Sequence, residues 1–210
     1  MQSSSATQTR QCSELNADSL AFQMERRPFP PGIAKAEWTE VSSRLRGALA
    51  DAIRSKHWPI YMFGPAGCGK SSAMACLYRA YKPEARWILL EPFVQQIMKC
   101  RQDGRVEVQV PYTGESVWRS ETQWFNLVER SPLLCIDDVG LRQPSESAYE
   151  VVFKLINARG DRPTIYTSNL DEKALIHLYG KRIESRVLSG TVIECTGEDR
   201  RRQRRVRVTA

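Results

Sequence analysis

A three-layer α/β domain, with a mostly parallel sheet between two layers of helices, is the fold class the sequence predicts. Short, wholly apolar runs such as Pro59-Ile60-Tyr61-Met62-Phe63 and Leu133-Leu134-Cys135-Ile136 alternate with longer stretches of helical periodicity. Strands buried on both faces read this way. A glycine-rich segment joins the first of these strands to a helix, and 41% hydrophobic residues in a chain of 210 can fill one core of ordinary size.

Taken in order, residues 1 to about 36 show no sustained period, and Pro28-Phe29-Pro30-Pro31-Gly32 interrupts any regular element. Residues 1–39 are therefore expected to form an arm or linker. Leu45, Leu49 and Ile53 recur every four positions and predict an amphipathic helix over 41–53. A strand over 59–63, a helix over 71–81 and a strand over 86–90 follow. Residues 93–100 read as helix, and the alternation of Val106, Val108 and Val110 predicts a short strand or hairpin. Next come a helix over 121–130, a strand over 133–136 and a helix over 145–158 whose apolar face is Val151, Val152, Leu155 and Ile156. A strand over 164–167, mostly helix over 171–187 and a last strand over 192–195 complete a domain of residues 40–197.

The formal charge of +7 is concentrated at one end. Six arginines fall within 200–207, leaving 25 bases against 24 acids elsewhere, so the body is nearly neutral and 198–210 forms a basic tail. Such a tail is expected to contact phosphates without reading sequence. No apolar run approaches the ~18 residues that cross a bilayer, and the polar first dozen residues lack the apolar stretch of a secretory signal. Membrane partners are thus not expected. Six scattered cysteines with no Cys-x-x-Cys pair, beside two histidines, argue against a zinc site. Cys76 and Cys135 read as buried thiols, which suits the reducing cytoplasm.

Gly64-Pro65-Ala66-Gly67-Cys68-Gly69-Lys70-Ser71 fits Gly-x-x-x-x-Gly-Lys-Ser/Thr, and it lies between a predicted strand and a predicted helix. Glycines let backbone N–H groups converge on phosphates, and the helix N-terminus adds its partial positive charge. Lys70 is expected to reach the β- and γ-phosphates of ATP, Ser71 to ligate Mg²⁺, and Ser72 to complete the binding segment. The run Leu133 to Ile136 ends in Asp137-Asp138, which places carboxylates at the carboxyl edge of the sheet beside that loop. Asp137 is the second expected magnesium anchor, through water, and Asp138 the group that orients or deprotonates the attacking water.

Four segments then occur in succession: Phe63 to Ser71, Leu134-Cys135-Ile136-Asp137-Asp138-Val139-Gly140, Arg162 to Leu170, and Gly180-Lys181-Arg182-Ile183-Glu184-Ser185-Arg186-Val187. Together they resemble the AAA+ ATPases of the bacterial helicase-loader type and the related ATPases of insertion-sequence transposition. The likeness extends over about residues 40–196. It implies that Asn169 stands at the sensor position near the γ-phosphate, and that Arg186 is an arginine finger reaching a neighbouring subunit, with Arg182 on the same helix face. A second reading of Ser168-Asn169 is a cap for the helix beginning near Asp171. Little chain follows Val187, so the full helical lid of wider AAA+ proteins is expected to be lacking.

Lys99, Arg101, Arg105 and Arg119 interleave with Tyr112, Trp118 and Trp124, a composition suited to holding single strands by stacking and charge. Trp124 and Phe125 also open an apolar helix face with Leu127 and Val128, which suits the core. The expected function is a magnesium-dependent ATPase of DNA replication that oligomerises on single-stranded DNA and assists a replicative helicase. The alternatives are a transposition-regulating ATPase on duplex DNA, an ATP-switched binding module with little hydrolysis, and a small-molecule kinase.

Overall fold

The structure is a computed structural model that describes residues 35–81, 85–109, 116–140 and 143–197. The basic tail, all of the arm before residue 35, and the predicted Val110 and Tyr112 positions lie outside the described residues. Five strands form one sheet: β1 (Ile60–Phe63), β2 (Arg86–Leu89), β5 (Leu134–Val139), β6 (Thr164–Ser168) and β7 (Thr191–Glu194). Their order is β2-β5-β6-β1-β7, and every pairing in it is parallel. Two further strands, β3 (Val106–Gln109) and β4 (Ser116–Arg119), pair antiparallel as a separate hairpin. The helices are α1 (Ser43–Ser55), α2 (Lys70–Ala80), α3 (Leu90–Asp103), α4 (Glu121–Arg130), α5 (Glu146–Arg159) and α6 (Glu172–Val187). The domain is a three-layer α/β fold.

Strand alternation divides the interior in two, because successive side chains leave a strand on opposite faces. Ile60, Met62, Cys135, Ile165 and Ile193 face the layer of α1 and α2, where they pack with Leu45, Leu49, Ala73 and Met74. Tyr61, Leu134, Ile136 and Tyr166 face the other layer, with Phe93, Ile97, Val151, Leu155 and Ile183 of α3, α5 and α6. Burying a side chain of this size is worth about 1.5–3 kcal/mol. Both layers therefore hold the sheet. Ala36 belongs to the first cluster, so the chain joins the core just before the short 3-10 turn Trp38–Glu40.

Several elements differ from the sequence expectation. The helix expected over 93–100 begins at Leu90, directly from β2. Pro92 sits in its first turn, where the absent N–H has no intrahelical partner to lose. The strand expected to stop at Ile136 runs to Val139, so both acids lie within it. The pairing of β5 with β6 is irregular between Ile136 and Val139, which is where the acids interrupt the apolar pattern. Helix α6 is broken at Gly180 (φ 74°, ψ 166°), a conformation open to glycine.

One buried residue ties the layers together without having been singled out in the sequence. Arg159, at the end of α5, is 1% exposed. Its guanidinium donates to the carbonyls of Val128 (2.8 Å), Glu129 (3.0 Å), Ser131 (2.8 Å) and Pro163 (2.6 Å), and to Thr164 Oγ1 (3.0 Å). Those acceptors belong to the end of α4 and to the chain entering β5 and β6.

Candidate nucleotide-binding site

The loop between β1 and α2 lies against the end of β7. Cys195 N–H donates to Phe63 O (2.7 Å), and a Cβ on Gly64 (φ +147°) would come within 2.1 Å of Cys195 O. Only glycine fits this approach. Gly67 and Gly69 also have positive φ (79° and 99°), and Gly69 caps α2. The first intrahelical bond runs from Ala73 N–H to Gly69 O (2.9 Å). The N–H groups of Lys70, Ser71 and Ser72 precede it, as first-turn donors do, and are available to an anion. Pro65 and Ala66 form the exposed tip of the loop.

Lys70 is buried, with its ammonium inside the loop rather than in solvent. Nζ donates to Gly64 O (2.7 Å), Pro65 O (2.8 Å) and Asn169 Oδ1 (3.0 Å), one partner for each of its three hydrogens. All three partners are neutral, so a phosphate is a stronger acceptor for the same cation. Ninety-nine residues separate Lys70 from Asn169, and parallel pairing of β1 with β6 brings their strand ends together.

Ser71 Oγ donates to Asp137 Oδ1 (2.9 Å), and Thr167 Oγ1 donates to the same oxygen. Burial pushes the Asp137 carboxyl above its ordinary pKa, against the lowering effect of the Thr167 and Ser71 hydrogen bonds. Among the described residues no side-chain cation pairs with it. A buried carboxylate held by hydroxyls and lacking a counter-charge suits a hard divalent cation, so Ser71 and Asp137 fit Mg²⁺.

Asp138 is exposed and has φ +57°, an unusual conformation for a residue with a Cβ. Its N–H donates to Thr167 Oγ1 (3.2 Å), so Thr167 serves both acids. Strain of about 1–3 kcal/mol accompanies such a backbone and concentrates at functional positions. It separates the roles of two adjacent acids: Asp137 points into the sheet and Asp138 out of it, at a groove shared with Glu91, Gly140 and Tyr179. Thr167 carries no signal of its own in the sequence, although it stands on β6 only two residues before Asn169.

Asn169 is not the cap of α6. Asp171 takes that place, its Oδ1 accepting from Ala174 N–H (2.8 Å), which leaves the Asn169 amide to Lys70. Arg186 lies on α6, away from these contacts. Its Nε donates to Asn157 Oδ1 (3.3 Å) and its NH1 to Arg182 O (2.7 Å). Arg182 and Arg186 both cover the Phe153 ring, at 4.0 and 5.0 Å from its centroid, and Tyr149 stacks beside it. No carboxylate among the described residues neutralises either guanidinium.

The hairpin presents Trp118, 54% exposed, with the Arg105 guanidinium 5.1 Å from its ring. Lys99 is exposed nearby in sequence on α3. Arg101 differs from its expected place in a basic surface: Glu121 (2.9 Å) and Glu150 (3.7 Å) engage it. Trp124 packs edge-on against Phe93 and Phe125 is buried, so these two rings serve the core.

Comparison with known proteins agrees with this fold. No family model matches the chain. The chromosomal replication initiator protein DnaA of Acinetobacter baylyi is 29% identical over 140 residues, which cover 63% of this chain and 27% of that protein. The chain thus spans about a quarter of the length of the curated relatives it matches. A crystal structure of DnaI superimposes with a TM-score of 0.61 at 18% identity, covering 85% of this chain and 98% of that one. The DnaC helicase loader gives 0.57 at 17% identity over 73% and 88% of the two chains. A replication initiator DnaA bound to AMPPCP and single-stranded DNA gives 0.60 at 16% identity over 88% and 51%. The chain shares the three-layer α/β fold of these initiator and loader structures, and it is the DnaA and DnaC-like form of that fold that it resembles.

Proposed function

We propose that the chain is a magnesium-dependent ATPase of DNA replication, similar to a helicase loader, that oligomerises on single-stranded DNA. The observation that carries the reading is one constellation at one sheet edge: a glycine loop, Lys70 bonded to Asn169, and Ser71 bonded to Asp137. The N–H groups of α2 and the Lys70 ammonium receive the β- and γ-phosphates. Ser71 and Asp137 hold Mg²⁺, which when bound shields phosphate charge. Asp138, exposed beside Asp137, orients a water and accepts its proton. Asn169 exchanges Lys70 for that water when phosphate draws the ammonium away. One superimposed structure is an initiator bound to AMPPCP and single-stranded DNA and another is a helicase loader, which supports both parts of the reading.

The exposed Trp118 beside Arg105 favours a single strand over a duplex, because stacking requires an unpaired base face. ATP turnover measured with and without single-stranded DNA tests the whole reading. Stimulation by the single strand supports it, and equal stimulation by duplex supports the transposition alternative. No turnover under either condition, with ATP still bound, leaves the switch module.

Two substitutions divide binding from turnover. Lys70→Ala is expected to weaken Mg·ATP binding about 100-fold in calorimetry, since it removes the cation the loop holds for phosphate. Unchanged affinity in a folded variant sinks the loop assignment. Asp138→Asn is expected to bind ATP normally and hydrolyse it at least ~100-fold more slowly. Turnover at the parent rate would make Asp138 structural.

A further inference from the structure

Two thiols meet at the nucleotide loop, and the proposed ATPase chemistry uses neither. Cys68 lies in the loop between Gly67 and Gly69, and Cys195 follows β7, which pairs with β1 beside that loop. Both are buried, both belong to the same core cluster, and both line one cavity of about 360 Å³ that runs between α1 and β7. Cys195 lies against the same loop: its N–H donates to Phe63 O (2.7 Å), and its Cβ would stand 3.4 Å from a Cβ placed on Gly64. Lys70 Nζ stands 3.6 Å from Cys68 Sγ, and the N-terminus of α2 begins two residues later. A cation and a helix N-terminus are the surroundings that favour thiolate over thiol.

We propose that Cys68 and Cys195 form a dithiol site that a hydroperoxide closes to a disulfide, and that the closed form binds nucleotide poorly. The cavity that both residues line is large enough for a molecule the size of hydrogen peroxide. The Cys68 thiolate attacks one peroxide oxygen and the O–O bond breaks. Sulfur loses two electrons and becomes a sulfenic acid, while the second oxygen leaves as hydroxide and becomes water with the proton that the Cys68 thiol released on ionising. The Cys195 sulfur then attacks the sulfenic sulfur. The S–S bond forms, the S–O bond breaks, and the Cys195 proton leaves with hydroxide as water. Two thiols and one peroxide thus become one disulfide and two waters. A dithiol reductant reverses the change by exchange.

The consequence for nucleotide rests on the reading above. Bonded sulfurs stand at about 2 Å, well inside any non-bonded contact, so closure draws the loop toward β7. Lys70 is two residues from the bond, and the N–H groups that face phosphate come immediately after it. Neither can keep its alignment while the Cys68 backbone shifts.

The test uses the full chain in a Cys12→Ser background, treated with hydrogen peroxide and mapped by peptide mass spectrometry. Expected is a peptide pair joined through Cys68 and Cys195, with at least about tenfold weaker binding of a fluorescent ATP analogue that dithiothreitol restores. Cys195→Ser, compared with its own reduced state, is expected to lose no affinity at the same dose. Separate sulfinic or sulfonic acids without a joined pair would overturn the proposal. So would an equal peroxide-dependent loss in Cys195→Ser, or a joined pair that binds nucleotide as tightly as the reduced protein. If reduced protein binds no ATP analogue, the nucleotide reading fails instead, and the peptide map still reports on the thiol pair.

Discussion

Arg186→Ala is expected to bind ATP with parent affinity and to hydrolyse it about 10³-fold more slowly, the scale of an arginine supplied to phosphoryl transfer from a neighbour. Within its own subunit Arg186 is held by Asn157 and by the Arg182 carbonyl, on the Phe153 ring and not at the Lys70 site. Nothing anionic among the described residues neutralises it. A cation with weak, neutral partners on an outer helix is available to a second copy at modest cost. Specific activity should therefore rise with protein concentration, or with DNA that gathers subunits. Mixing Arg186→Ala with Asp138→Asn should restore part of the turnover, because one variant retains an intact site and the other an intact finger. Concentration-independent activity with no recovery on mixing would place Arg186 outside the reaction. Arg182, which covers the same ring one turn earlier, then becomes the residue to test.

The second large effect is on stability. Arg159→Ala is expected to cost about 3–5 kcal/mol, since it strands four backbone carbonyls and one hydroxyl in a buried seam. That is a large part of the ~5–15 kcal/mol that holds a domain together. Burial lowers the Arg159 pKa to about 10, still well above neutrality, so the charged form is the one removed at pH 7. Arg159→Lys keeps a charge but not the planar fork, and should recover less than half of the loss. Urea unfolding followed by circular dichroism gives the difference directly. A cost under about 1 kcal/mol for Arg159→Ala would show that water satisfies the carbonyls and that the seam is not closed by this side chain.

How much of the site was legible in advance depended on how far apart its partners lie in the chain. The glycine loop was readable as a candidate because its signal is local: glycines, a lysine and a serine within eight residues, between a strand and a helix. Asp137 and Asp138 were readable as a pair only beside the glycine loop, because an apolar run reaching two acids is by itself an ordinary strand entering a turn. Their different orientations were not, since the break in pairing between Ile136 and Val139 belongs to β6 as much as to β5. Thr167 was overlooked because a threonine in a strand is unremarkable until its hydroxyl is found between two carboxylate-bearing residues about thirty positions away. The second strand of the hairpin, Ser116–Arg119, was missed for a different reason. Its four residues are mixed in character, and pairing with Val106–Gln109 rather than any period of its own makes it a strand.

The sequence alone determined the layer class, the loop and the two acids, because hydrophobic period and local motif chemistry act within a few residues. Tertiary structure alone decided which distant groups meet. Lys70 with Asn169, and Arg159 with the ends of α4, β5 and β6, are brought together by strand order and by crossovers. Contacts of that kind arise only when the whole chain has paid its conformational entropy, so no window of sequence contains them.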